Sequence, residues 1–99
     1  MGVFMGFRIQ TCLEGCEFRR MRSGKRQNGD SWHSLRVEDL DGNAIDISVR
    51  NDALLHDCEA LEKGDYVNLT VLIVAIDGKD GYSYVQLLDV PEPCPEPGA

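Results

Sequence analysis

Five of the ten basic side chains in this 99-residue chain, Arg19, Arg20, Arg22, Lys25 and Arg26, fall within eight consecutive positions. The only tryptophan, Trp32, stands six residues further on, and Arg36 and Arg50 follow it. Guanidinium and ammonium groups neutralise phosphates. An indole offers a flat face on which an unpaired base stacks for about 1–3 kcal/mol whatever its identity. This is the chemistry of binding. No nucleophile stands near a base, no helix carries two metal ligands, and no glycine-rich turn joins a strand to a helix to cradle phosphate. The sequence therefore predicts no enzyme activity and no cofactor.

The chain around this cluster is acidic, with a net charge of −7. Residues 1–50 carry +1 and residues 51–99 carry −8. That balance argues against coating duplex DNA by bulk charge. It does not argue against a narrow basic track, because screening over about 8–10 Å makes local charge decisive. The length fits one domain. No apolar run reaches the roughly 20 residues needed to cross a bilayer, and MGVFMGFR lacks the basic and long apolar regions of a secretory leader. A cytoplasmic location without membrane contact is the expectation. Cys12 and Cys16 have the spacing of half a zinc site, but Cys58 and Cys94 are poorly placed to complete it, so the four read as reduced thiols and no metal is expected.

The elements that must position these residues follow from periodicity. Phe4 to Thr11 alternates as a strand, breaks at Leu13-Glu14-Gly15, and continues from Cys16 to Met21. The basic segment, with Gly24, Asn28, Gly29 and Asp30, reads as a long mobile hairpin loop. Trp32 to Leu40 and Ala44 to Arg50 alternate, and face parity predicts a three-residue connection pairing Leu35 with Val49, with Asn43 left-handed. Asn51 to Leu61 changes to helical spacing, with Asn51 or Asp52 as cap and Gly64 after the end. Asp65 to Ile76 is the strongest strand, and a hairpin tip at 77–81 leads to a last strand, Tyr82 to Val90. Residues 1–90 form the domain, and 91–99, PEPCPEPGA, are expected to be a disordered proline-rich tail.

Three strands, a helix and two strands is the order of the OB-fold, an all-β, five-stranded Greek-key barrel with one short helix. Its second and third strands, and the loops joining strands 1–2 and 4–5, bind oligonucleotides or oligosaccharides. Alternation puts Trp32, Arg36 and Arg50 on the outward face beside the basic loop. Tyr82 and Tyr84 share one side of the last strand, where they can stack bases, cap the barrel or meet a second copy. Leu72, Val74 and Ile76 make an outward apolar stripe on the strongest strand, which predicts a homodimer interface there. The rival reading is a protein-interaction module that docks a partner on that stripe.

The order of these motifs resembles the helix-destabilising, single-stranded-DNA-binding proteins of filamentous phages. The resemblance runs from Phe18 to Pro91. It rests on Phe18, Arg22-Ser23-Gly24 and Arg26-Gln27 leading to Trp32, on Val37 and Asp39-Leu40, and on Gly64, Tyr66, Asn68 and Thr70 opening a strand. It implies a dimer that coats single strands during replication, with Arg22 and Arg26 as backbone contacts and Trp32 as the stacking ring. The chain departs from the phage pattern in its acidity, its 51–61 helix and Gln86. A bacterial or plasmid-borne single-strand-binding protein fits equally, and RNA is not separated from DNA by these residues.

Overall fold

The computed structural model describes residues 5–77 and 82–98, with side chains for residues 7–75 and 83–98. The chain folds as β1 (Met5–Lys25), β2 (Ser31–Glu38), β3 (Ala44–Ser48), α1 (Asp52–Glu59), β4 (Tyr66–Asp77), β5 (Tyr82–Leu87) and β6 (Glu92–Pro93). The sheet order is β1-β2-β3-β5-β4-β6, and a further β1–β4 pairing closes the first five strands into a barrel. This is the OB-type barrel that the element order predicts. The hairpin tip lies outside the described residues.

Closure rests on β1, which pairs with β4 from Met5 to Glu17 and with β2 from Glu17 to Lys25. Its register with β4 shifts between Leu13 and Cys16, around Gly15 at φ 64°. Glycine takes that left-handed conformation without the Cβ clash other residues meet. A second shift, between Phe18 and Arg20, leaves Arg19 as an extra residue on the strand. The α1–β4 connection stitches this bulge, with Phe18 N donating to Asp65 O (2.7 Å) and Gly64 N donating to Phe18 O (2.9 Å).

The bulge corrects one expectation. The basic segment is not a long loop, because β1 stays paired as far as Lys25 and only residues 26–30 connect it to β2. The inward residues Phe18 and Met21 are three positions apart across the bulge, so the two-residue period is hidden. At the tip, Arg26 N donates to Asp30 O (2.7 Å), Gly29 N to Arg26 O (3.0 Å), and Asp30 N to Asn28 Oδ1 (3.0 Å).

The β2–β3 hairpin keeps the expected facing but differs in register. Leu35 opposes Ile47, and Glu38 opposes Ala44 across a five-residue connection. The widening is the work of Asp39. Its Oδ1 accepts from Asp41 N (2.9 Å) and Asn43 N (2.8 Å), while Oδ2 accepts from Asn43 Nδ2 (3.1 Å). Those bonds, Asn43's foremost, hold the Asp39 carboxyl below its usual range. Gly42 takes the positive φ, 83°, in place of Asn43.

Inside the barrel Phe18, Leu35, Val37, Ile47, Val49, Val67, Leu69, Val71 and Leu87 form one buried cluster. Helix α1 adds Leu54 and Cys58 to it, so the helix plugs one end. Asn51 caps that helix through Oδ1, which accepts from Ala53 N at 2.9 Å. Burial pushes the Cys58 thiol up to about 11.

The tail is not the free segment expected. Val67 and Asn68 of β4 pair with Pro93 and Glu92, and Cys94 N donates to Tyr66 O at 3.0 Å. The Tyr66 hydroxyl donates to Glu96 Oε1 (3.3 Å), and Pro97 lies over Gly15. Backbone pairing to an open strand edge needs no apolar side chains, so composition did not show it. A Cβ at Gly15 would stand 2.5 Å from Pro97 Cγ and adopt a left-handed φ. Gly15→Ala is therefore expected to destabilise the fold by about 1–2 kcal/mol through its backbone conformation alone. Thermal unfolding measures it, and removing residues 91–99 should relieve only the steric part.

Candidate nucleic-acid interface

Side chains directly opposite on paired strands share a face, so the registers assemble the outer surface of the barrel. Trp32 opposes Gly24. The indole lies so close across that glycine that a Cβ there would come within 2.8–2.9 Å of Nε1, Cε2 and Cζ2. The ring is half-buried on the outer face, outside the sealed interior. Beside it Arg22 opposes Ser34, and Ser34 opposes Ser48. In the next row Arg20 opposes Arg36, which opposes Asp46.

Two guanidinium groups here share one carboxylate, and a third, Arg20, stands beside them. Arg36 Nη1 donates to both oxygens of Asp46 at 3.1 Å, and Arg22 Nη1 stands 3.6 Å from Asp46 Oδ2. Arg20 makes no ion pair among the described residues. Like charges directly opposite on neighbouring strands destabilise a sheet unless an anion intervenes. Half-exposed pairs of this kind contribute about 0–1 kcal/mol each, so a phosphate can replace Asp46 at little cost. Arg19 differs from its neighbours. The bulge turns it towards Glu17 (3.4 Å) and Glu38 (3.6 Å), which neutralise it.

An open cleft of about 720 Å³ runs along this surface, lined by Trp32, Arg26, Arg50, Ser34, Asp30 and Asp52 among others. Arg26 and Arg50 stand in its walls, and Ser34 is the buried polar residue beside the ring. The Arg50 guanidinium carbon sits 4.5 Å from the Tyr84 ring centroid, a cation–π distance. Lys25 opposes Ser31 at the hairpin end and falls on the opposite side of β1 from Arg22 and Gly24.

Of the residues singled out in the sequence, the structure brings together Arg20, Arg22, Arg26, Trp32, Arg36, Arg50 and Tyr84. It separates Arg19 and Lys25 from them. The Tyr82 backbone opposes Ile76, and the side chains of both lie outside the described residues. Two contributors escaped sequence reasoning. Gly24 supplies the bare backbone beneath the indole, and its place opposite Trp32 becomes visible only once the hairpin register is known. Asp46 controls the charge, and its outward alternation with Ile45 and Ile47 was the available signal.

The apolar stripe on β4 is smaller than expected. Val74 is only 4% exposed within a single chain, with Tyr84 and Arg8 directly opposite it on the two neighbouring strands. Leu72 is half-buried between Gln10 and Gln86. Exposed large apolar side chains among the described residues are instead Phe7 (73%) and Ile9 (53%) on β1, with Leu40, Ile45 and Val90 elsewhere.

Gly24→Val is expected to lift the indole from the sheet without unfolding the barrel. Tryptophan emission should shift to the red and quenching by iodide should increase. An unchanged spectrum would mean the ring does not rest on Gly24.

No protein-family profile matches the chain, and no curated protein sequence matches it. Among solved structures the fold is similar to the crystal structure of the mitochondrial single-stranded-DNA-binding protein Rim1 of S. cerevisiae. The TM-score is 0.60 at 14% identity, over 82% of this chain and 90% of that one. Likeness at that identity establishes the OB-type barrel.

Proposed function

We propose that this protein binds single-stranded DNA with little sequence preference, in replication or protection of exposed strands. The observation that carries this reading is the indole of Trp32 laid over Gly24 beside three guanidinium groups, Arg20, Arg22 and Arg36. Arg22 and Arg36 share the carboxylate of Asp46, and Arg20 has no ion pair among the described residues. A stacking ring next to under-neutralised cations on a sheet suits splayed bases and a flexible phosphate chain. The barrel shared with a single-stranded-DNA-binding protein supports it. So does the motif order resembling the phage helix-destabilising proteins. Arg20, Arg22, Arg26 and Arg36 meet phosphates, while Trp32 stacks a base within the cleft.

Titrating Trp32 emission with oligo-dT at several salt concentrations tests this directly. About four phosphate contacts predict a log–log slope near −3. Trp32→Ala, followed by anisotropy of a labelled strand, should weaken binding about tenfold. Asp46→Asn should tighten it and steepen the slope, because Arg22 and Arg36 are released. A slope near zero would remove the electrostatic half of the reading.

We also propose that two copies associate, through the free edge of β1 in place of the β4 stripe. Residues 5–13 pair with β4 on one side only among the described residues, and Phe7 and Ile9 are exposed there. A long apolar edge strand is a template for pairing with another strand, and a second β1 is self-complementary about a two-fold axis. Sedimentation should give twice the chain mass for the wild type and the single-chain mass for Phe7→Lys/Ile9→Lys. A wild type sedimenting as one chain would exclude the dimer.

A further inference from the structure

We infer that the bound strand continues beyond the Trp32 cleft, over Arg50 and Tyr84, to a phosphate contact at Arg8. This extension rests on the single-strand-binding reading. Arg50 belongs to two surfaces at once. It lines the cleft beside Trp32, and its guanidinium lies over the Tyr84 ring. A guanidinium held over an aromatic ring is restrained, and bases stack on guanidinium planes as they do on rings.

From Tyr84 the outer face continues in register through Val74 to Arg8. Two strand spacings, about 10 Å, separate the ring from the arginine. The row between them is closed and apolar at Val74, and the row beside it is Gln10, Leu72 and Gln86. Neither row contains a carboxylate, in a chain with 17 acidic side chains. Arg8 is exposed and makes no ion pair among the described residues. It therefore presents a cation without an ion pair among the described residues, at the end of a carboxylate-free row that begins at Tyr84. Side chains stand perpendicular to a sheet, so pairing at the β1 edge leaves Arg8 accessible.

The test compares wild type, Arg8→Gln and Arg8→Lys on labelled oligo-dT of about four and about twelve nucleotides, within the range of site sizes for OB-folds. Arg8→Gln should bind the longer strand about three- to fivefold more weakly, as loss of one exposed ion contact allows. Its log–log salt slope should be shallower by about 0.7. Affinity for the short strand, which fills only the Trp32 cleft, should be unchanged, and Arg8→Lys should restore the longer strand. Equal losses on both lengths, or no loss on the longer one, would overturn the path to Arg8 while leaving the Trp32 site intact. Failure of the wild type to bind either length would overturn both.

Discussion

Barrel closure requires β1 to hydrogen-bond β4 along its first half and β2 along its second, and a straight strand cannot do both. Two local departures solve the problem. Gly15 supplies a left-handed residue where the register with β4 shifts, and Arg19 is an extra residue where the register with β2 shifts. Both lie against other parts of the chain, Gly15 beneath Pro97 and the Arg19 bulge beside residues 64–65. The strand therefore bends at fixed points. The proposed binding surface follows from this bend, because the second half of β1 carries Arg20, Arg22 and Gly24 alongside β2.

An acidic molecule presents a basic face by distribution of charge. Ten of the 17 carboxylates lie in residues 51–99, and Glu17 and Glu38 are taken up by Arg19. The one carboxylate of Asp46 contacts both Arg22 and Arg36, so it cannot cancel the charge of the patch. Salt bridges this exposed are weak, so exchange of Asp46 for phosphate costs little. The indole adds an apolar surface where the charge is densest. A cationic surface and a flat apolar ring are thus adjacent on paired strands.

Much of the architecture was legible in residue patterns. Alternation marked the strands, the change to helical spacing marked α1 with its Asn51 cap, and their order indicated the barrel. Three features were hidden for physical reasons. The Arg19 bulge breaks the two-residue period, so a paired strand read as a loop. The Asp39 side chain binds two backbone N–H groups and widens the β2–β3 turn, which parity alone does not reveal. The tail pairs through backbone groups along β4, and those leave no mark in composition. At the site, Trp32, Arg36 and Arg50 were readable as outward residues, and Arg22 as one of the basic residues beside them. Gly24 and Arg8 were not, because their places beside Trp32 and in line with Tyr84 depend on strand registers that alternation does not give.

The central claim is that unpaired DNA lies on the Trp32–Gly24 surface, and heteronuclear NMR during addition of oligo-dT tests it most directly. The account predicts that the indole Nε1–H, the Gly24 amide and the Arg22 and Arg36 side chains shift together in a saturable way. Resonances of α1 should stay in place. Saturable shifts confined to α1 or to the Phe7–Ile9 edge, with the indole unmoved, would contradict it.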